Sequence, residues 1–201
     1  LVCAIGFETS AEGAPSATLT SSGGKLTVSL VGATKAATAR PVYSTFWYVD
    51  AENGADNETV GTGYSPETAF RTLAAVMAKA ESGDTVYAAP GDYREKTMKS
   101  AAGPSGLSGN SLPSRVTVGY GVTLESAEGP EVTFITGEAD SADATYGLGS
   151  AAIRGVSLNG QGTVRGFTIR NGHTFSGAES ADTSGGGVLA SGTGALVEDC
   201  I

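Results

Sequence analysis

The sequence predicts an all-β chain wound as a solenoid of parallel strands and covered at its N-terminal end by one amphipathic α-helix. Three observations carry this. From residue 85 onward, short runs of about four to eight β-branched and aromatic residues recur at close spacing, each bounded by Gly, Asn, Pro or Ser. Only the segment 66–81 has helical periodicity. Finally, Thr163–Ile169 superposes on Leu196–Ile201 with Val164 on Val197 and Phe167 on Cys200, an offset of 33 residues.

Composition bounds the function classes. The chain has 201 residues, of which 30 are glycine, 40% are hydrophobic and 7% aromatic, so its core is aliphatic and compact rather than aromatic. The net charge of -9 argues against a nucleic-acid partner, whose phosphates need clustered Lys and Arg. No apolar run approaches the ~18 residues of a membrane span. Cys3 and Cys200 sit near opposite ends, in neither CxxC nor metal-ligand spacing, and read as small buried or unpaired residues. Their redox state and the compartment stay open on this count.

Residues 1–44 read as a β-rich segment or the end of a preceding domain, and 45–201 as the body of the protein. Leu1–Phe7 is either the stump of a secretory segment or a strand. Thr18–Thr20 and Leu26–Val31 are short strands between Ser/Gly turns, and 33–39 is a small, polar linker. Phe46–Asp50 opens the body as an aromatic, β-branched strand, followed by the Asn-, Asp- and Gly-rich loop 51–64.

The helix comes next. Ser65 is its N-cap, Pro66 suits its first position and Glu67 complements the dipole. Phe70, Leu73, Ala74 and Met77 form the apolar stripe, and Ser82-Gly83-Asp84 ends it. Strands are expected at 85–89, 115–118, 121–125, 131–135, 152–158, 163–170, 187–190 and 195–201. Asn53-Gly54, Gly83-Asp84 and Asn159-Gly160 do not join alternating partners as hairpin turns would. Stacking of each strand on its equivalent one turn later fits better.

Trp47–Gly54, Ser65–Leu73 and Gly83–Glu95 together resemble the N-terminal cap and first turn of secreted bacterial right-handed parallel β-helix proteins, the pectate-lyase-like superfamily. Val164–Gly172, followed by Gly185–Val188, resembles the turns of its autotransporter-like, surface-exposed members. The resemblance spans 46–201 and is weakest over 96–150. It implies a right-handed parallel β-helix with a helical cap, three parallel sheets and secretion or display at the cell surface. It implies no single reaction, because one fold hosts many functions.

Candidate chemistry is sparse. Asp50, Asn53 and Asp56 could offer oxygen ligands to Ca²⁺, although a solvated loop of Asx turns accounts for the same residues and the spacing is not that of an EF-hand. His173 is the only histidine, in the insertion 172–186 that also holds Glu179 and Asp182. With Arg170 these are the candidate ligand contacts. The candidate cationic bases are Lys96, Lys99, Arg154, Arg165 and Arg170, and neither Arg165 nor Arg170 is surrounded in sequence by an acid cluster. Arg165 and Arg170 lie five apart on one strand run and so face opposite sides if that strand is regular.

No catalytic residue can be named, and no paired-carboxylate, GxSxG, P-loop or HExxH pattern is present. The expected function is a non-catalytic, adhesin-like extracellular or cell-surface module contacting a polysaccharide or a host or cell-surface glycan. The alternative is the N-terminal part of a polysaccharide lyase or glycoside hydrolase whose catalytic residues lie beyond Ile201. Ala195–Ile201 is apolar and lacks a closing turn, so truncation inside a turn of the solenoid is expected.

Overall fold

The structure is a computed structural model that describes residues 2–10, 16–22, 25–31, 38–57, 59–100, 112–176 and 181–201, with side chains described from Thr45 onward. They fall into two compact units, Val2–Ser44 and Thr45–Ile201. In the first unit, β1 (Val2–Ser10) covers most of the apolar opening run. β2 (Ser16–Ser22) and β3 (Lys25–Val31) pair antiparallel, Ser16 opposite Val31 and Ser22 opposite Lys25. Residues 33–37 of the expected linker 33–39 lie outside the described residues, and strand β4 (Thr38–Val49) begins at Thr38.

The second unit is mostly strand, with almost no helix. Beyond β4 its strands are β5 (Thr85–Ala88), β6 (Gly91–Tyr93), β7 (Met98–Lys99), β8 (Pro113–Val118), β9 (Thr123–Ser126) and β10 (Thr133–Thr136). After these come β11 (Arg154–Asn159), β12 (Thr163–Arg165), β13 (Thr168–Arg170), β14 (Val188–Ser191) and β15 (Leu196–Glu198). The first sheet contains the run β4-β5-β9-β12-β15, the second is β6-β10-β13 and the third is β7-β8-β11-β14. From β8 to β15 the chain visits third, first and second sheets in unbroken rotation. Within these runs the strand pairs are parallel, except for the short antiparallel contact of β7 with β8.

Register follows from side-chain alternation, since a slip of one residue would turn every apolar side chain outward. In the first sheet the inward row is Trp47, Val86, Leu124, Val164 and Val197, each opposite the next. The second sheet contributes Tyr93, Ile135 and Ile169, and the third contributes Val116, Val156 and Val188. Side chains of all three sheets join one hydrophobic cluster. Val86, Leu124, Val156 and Val164 are wholly buried there, each contributing about 1.5–3 kcal/mol by leaving water. The pairing of Val164 with Val197 is the alignment read from internal similarity.

The helix expected over 66–81 is shorter and broken. Pro66–Thr68 is a 3-10 turn, and α1 covers only Leu73–Met77. Ser65 makes no side-chain cap; Thr72 caps α1, its hydroxyl accepting from the Ala75 N–H at 3.2 Å. The cause is competition for the backbone between the two pieces. The Phe70 N–H donates to the Tyr48 carbonyl and the Asp50 N–H donates to that of Phe70, at 2.9 and 2.8 Å, so Phe70 bridges to the strand end. The Asp56 carboxylate then takes the N–H groups of Arg71 and Thr72, both at 2.9 Å. Phe70, Leu73 and Met77 are buried as the stripe requires, and Val76 joins them.

Two further departures are local. The expected strand over 163–170 is two strands, β12 and β13, in different sheets. Gly166 turns the chain between them at φ 75, a backbone angle that a side chain disfavours. Arg165 and Arg170 therefore belong to different sheets rather than to opposite faces of one strand. After the expected strand 85–89 the chain passes through Pro90 directly into β6, which begins at Gly91.

The core position of Phe70 gives a direct check. Phe70→Asp puts an unpaired carboxylate against the Trp47 ring and the cluster, and should cost about 3 kcal/mol or more. Urea denaturation measures this; an unchanged midpoint would show that the residue is not part of the core.

Candidate functional site

Alternation that sends Trp47 and Val86 inward sends their neighbours outward on the first sheet. In-register stacking then aligns Tyr48, Tyr87, Glu125, Arg165 and Glu198 in one outward column. Tyr48 and Tyr87 have ring centroids 5.9 Å apart, and Phe46 lies 6.0 Å from Tyr87. Further along, Arg165 Nη2 lies 2.6 Å from the Glu198 carboxylate, and Nη1 lies 3.6 Å from that of Glu125. Thus one end of the column, Tyr48 and Tyr87, is aromatic, and the other, Glu125, Arg165 and Glu198, is a cross-strand charge ladder.

Beside the aromatic half lies a cleft of about 440 Å³, lined by Tyr48, Asp50, Tyr87, Pro90, Glu125 and Glu128 among others. None of its lining residues is Lys, Arg, His or Cys. Two ring faces with carboxylates at the rim suit a flat, hydroxylated ligand: the rings cover its apolar face and the acids accept its donors. Sequence reading marked 46–50 and 85–89 as strands but did not assign this pair. Its signal was the period-two alternation in Phe46-Trp47-Tyr48-Val49 and Thr85-Val86-Tyr87-Ala88, which becomes a site only once the strands are known to be adjacent.

Of the sequence-derived ligand residues, the described ones, Arg170, His173 and Asp182, each make separate contacts. Arg170 donates to Asp92 at 2.8 Å and to the Thr136 hydroxyl at 3.1 Å, with its guanidinium 4.2 Å above the Phe134 ring. Asp92 also binds Arg94. Burial alone raises the Asp92 pKa, but the donors Thr136, Arg94 and Arg170 outweigh it and hold the carboxyl below its ordinary value. His173 places Nδ1 2.9 Å from the Asn171 carbonyl. Asp182 is buried, 3.4 Å from Arg154, and accepts from the Leu112 N–H at 2.9 Å. Glu179 lies outside the described residues.

Arg154, a candidate base in the sequence, is wholly buried and serves the fold. Its guanidinium donates to the carbonyls of Leu112, Ala181 and Ser184, at 3.0, 2.6 and 3.1 Å. Arg115 is likewise buried, donating to the carbonyls of Thr136 and Lys96.

The Ca²⁺ candidates are committed to donors of the chain itself. Asp50 accepts from the N–H groups of Glu52 and Asn53, both at 2.9 Å, and from the Asn53 amide at 3.1 Å, an Asx turn. Asp56 accepts from the Arg71 and Thr72 N–H groups, and from the Thr72 hydroxyl and Lys96, both at 2.6 Å. Asp50, Asn53 and Asp56 therefore do not form a ligand set. Among the described residues, no group of three His, Cys, Asp or Glu is placed to hold a metal ion.

No protein-family model, curated protein or solved structure matches this chain. Among the described residues, no helix is long and apolar enough to cross a membrane.

Asp56 generates a pH prediction. Burial raises its pKa, but Lys96, the Thr72 hydroxyl and the two backbone donors prevail and hold it below 3.8. A depressed folded-state pKa means that its stabilisation is fully present above 3.8 and lost as pH falls through the folded value. Asp56→Asn should lower stability at neutral pH by about 1–3 kcal/mol and flatten the acid limb below that value. Denaturation midpoints across the acid range check both; parallel acid limbs in the two proteins would refute the assignment.

Proposed function

We propose that residues 45–201 form part of a right-handed parallel β-helix of the secreted bacterial, pectate-lyase-like kind, with α1 as its cap. The proposal extends to a non-catalytic, adhesin-like module, secreted or displayed at the cell surface, that contacts glycans through the outer face of its first sheet. The rotation of the chain through three parallel sheets supports the fold. The buried Phe70, Leu73, Val76 and Met77 beside that core support the cap. Parallel stacking repeats each outward side chain along the sheet, a geometry suited to a polymer.

The observation that carries the glycan reading is the Tyr48–Tyr87 pair at the rim of the cleft. Aromatic faces and acceptor oxygens in one concave site are what a sugar ring, apolar on its faces and hydroxylated at its edge, requires. Arg170 on the second sheet, packed on Phe134 and held by Asp92, supplies a separate charged surface.

A panel of immobilised neutral, amino and acidic glycans tests the reading. The protein should bind at least one class saturably, and Tyr87→Ala should weaken that binding by about tenfold or more. Tyr120→Ala, which removes an exposed tyrosine from the turn after β8, should leave it unchanged. Binding indifferent to Tyr87, or none across the panel, would overturn the proposal.

A further inference from the structure

Resting on the glycan reading of the same cleft, we infer that its ligand is a glycan bearing protonated amino groups, a glucosamine-type oligosaccharide, rather than a neutral or acidic one. The argument is one of charge complementarity. Asp50, Glu125 and Glu128 line the cleft beside Tyr48 and Tyr87, and no cationic side chain shares the lining. Glu128 makes no side-chain hydrogen bond or ion pair with another described residue, so its carboxylate is free to meet a ligand.

The cations on the nearby strands are already engaged by acids of the chain. Arg165 lies 2.6 Å from Glu198 and 3.6 Å from Glu125, so it offsets part of the Glu125 charge at the edge of the cleft and leaves Asp50 and Glu128 to set its sign. Arg94 and Arg170 both close on Asp92 in the second sheet. Asp50 keeps its charge: burial opposes ionisation, but the donors of Asn53 and Glu52 hold its pKa below 3.8. The net charge of -9 adds a long-range field of the same sign, which draws a polycation in and repels a polyuronate.

The two parts of the site divide the work. Ring faces of Tyr48 and Tyr87 hold any pyranose of suitable shape, while the rim carboxylates discriminate by charge. Because the rim is open to solvent, that discrimination is sensitive to salt, whereas ring packing is not.

Calorimetric titration of the whole chain tests this with three β-linked oligosaccharides of equal length, one of glucosamine, one of N-acetylglucosamine and one of a uronic acid. Mildly acidic pH keeps the glucosamine amino groups protonated. The glucosamine oligomer should bind about tenfold tighter than the N-acetylated one, equivalent to ~1.4 kcal/mol, with the uronate weakest. Added salt should erase the difference. Glu125→Gln with Glu128→Gln should abolish the preference for the glucosamine oligomer over the N-acetylated one. Glu128→Gln alone, at an exposed site, gives part of that effect even if loss of the Glu125–Arg165 contact disturbs the sheet. Equal or tighter binding of the N-acetylated or uronate oligomer, still lost in Tyr87→Ala, would overturn the charge selection and leave the glycan reading standing. Binding of none would overturn both.

Discussion

From β4 to β12 each strand of the first sheet buries one side chain against the core while its backbone is completed by parallel neighbours. Trp47, Val86, Leu124 and Val164 meet both conditions at once, and Val197 continues their register on β15 with its side chain exposed. Parallel pairing fixes which residue lies above which, and burial fixes which face is inward. Once that row is set, the outward column from Tyr48 to Glu198 has no freedom left. Aromatic rings in β4 and β5, and charges in β9, β12 and β15, must meet their equals on the next strand. The candidate site is thus a consequence of the core register.

Polar residues hold the places where apolar stacking cannot act. Asp84, buried after α1, accepts from the Thr45 N–H at 2.7 Å and from the Trp47 indole at 2.8 Å, tying the start of β5 to β4. Arg154 does the equivalent work for irregular chain. It gathers the carbonyls of Leu112, Ala181 and Ser184, which arrive from two separate connecting segments. A guanidinium suits this role because five fixed donors can satisfy several buried carbonyls that would otherwise lack partners. Its partial neutralisation by Asp182 limits the cost of burying the charge. A sequence in which Arg154 and Asp182 stand 28 residues apart gives no hint of that bond.

What was legible in the sequence was whatever depends on near neighbours or on repetition. The strands over 85–88, 123–126 and 154–159 showed as β-branched runs between turn residues, and Val164 over Val197 showed as a self-match. The helix misled because periodicity at Phe70, Leu73 and Met77 reports burial, and an extended Phe70 is buried as well as a helical one. Its extended state is imposed by Tyr48, Asp50 and Asp56, residues outside the segment. Likewise β13 was merged with β12 because the corner at Gly166 and Phe167 keeps an apolar residue buried and so interrupts no hydrophobic pattern. In the site, Asp50 and Asp56 looked like oxygen ligands because composition does not reveal which backbone donors a loop will turn toward them.

The same rule places the two charged surfaces of the second unit. On the first sheet the acids Glu125 and Glu198 flank one arginine, Arg165, leaving an excess of negative charge next to the half-buried rings of Tyr48 and Tyr87. On the second sheet two arginines, Arg94 and Arg170, flank one acid, Asp92, and Glu52 and Glu131 line the same groove beside Phe134. In each case a central ion is held by two of opposite sign. Such triads are stabilised weakly when exposed, so their energetic effect on folding is small. Their effect on recognition is larger, because stacked strands keep the charges at fixed positions and a ligand meets them already ordered. A chain of net charge -9 thereby presents two separate ordered charge clusters, each set by the register of an inward row.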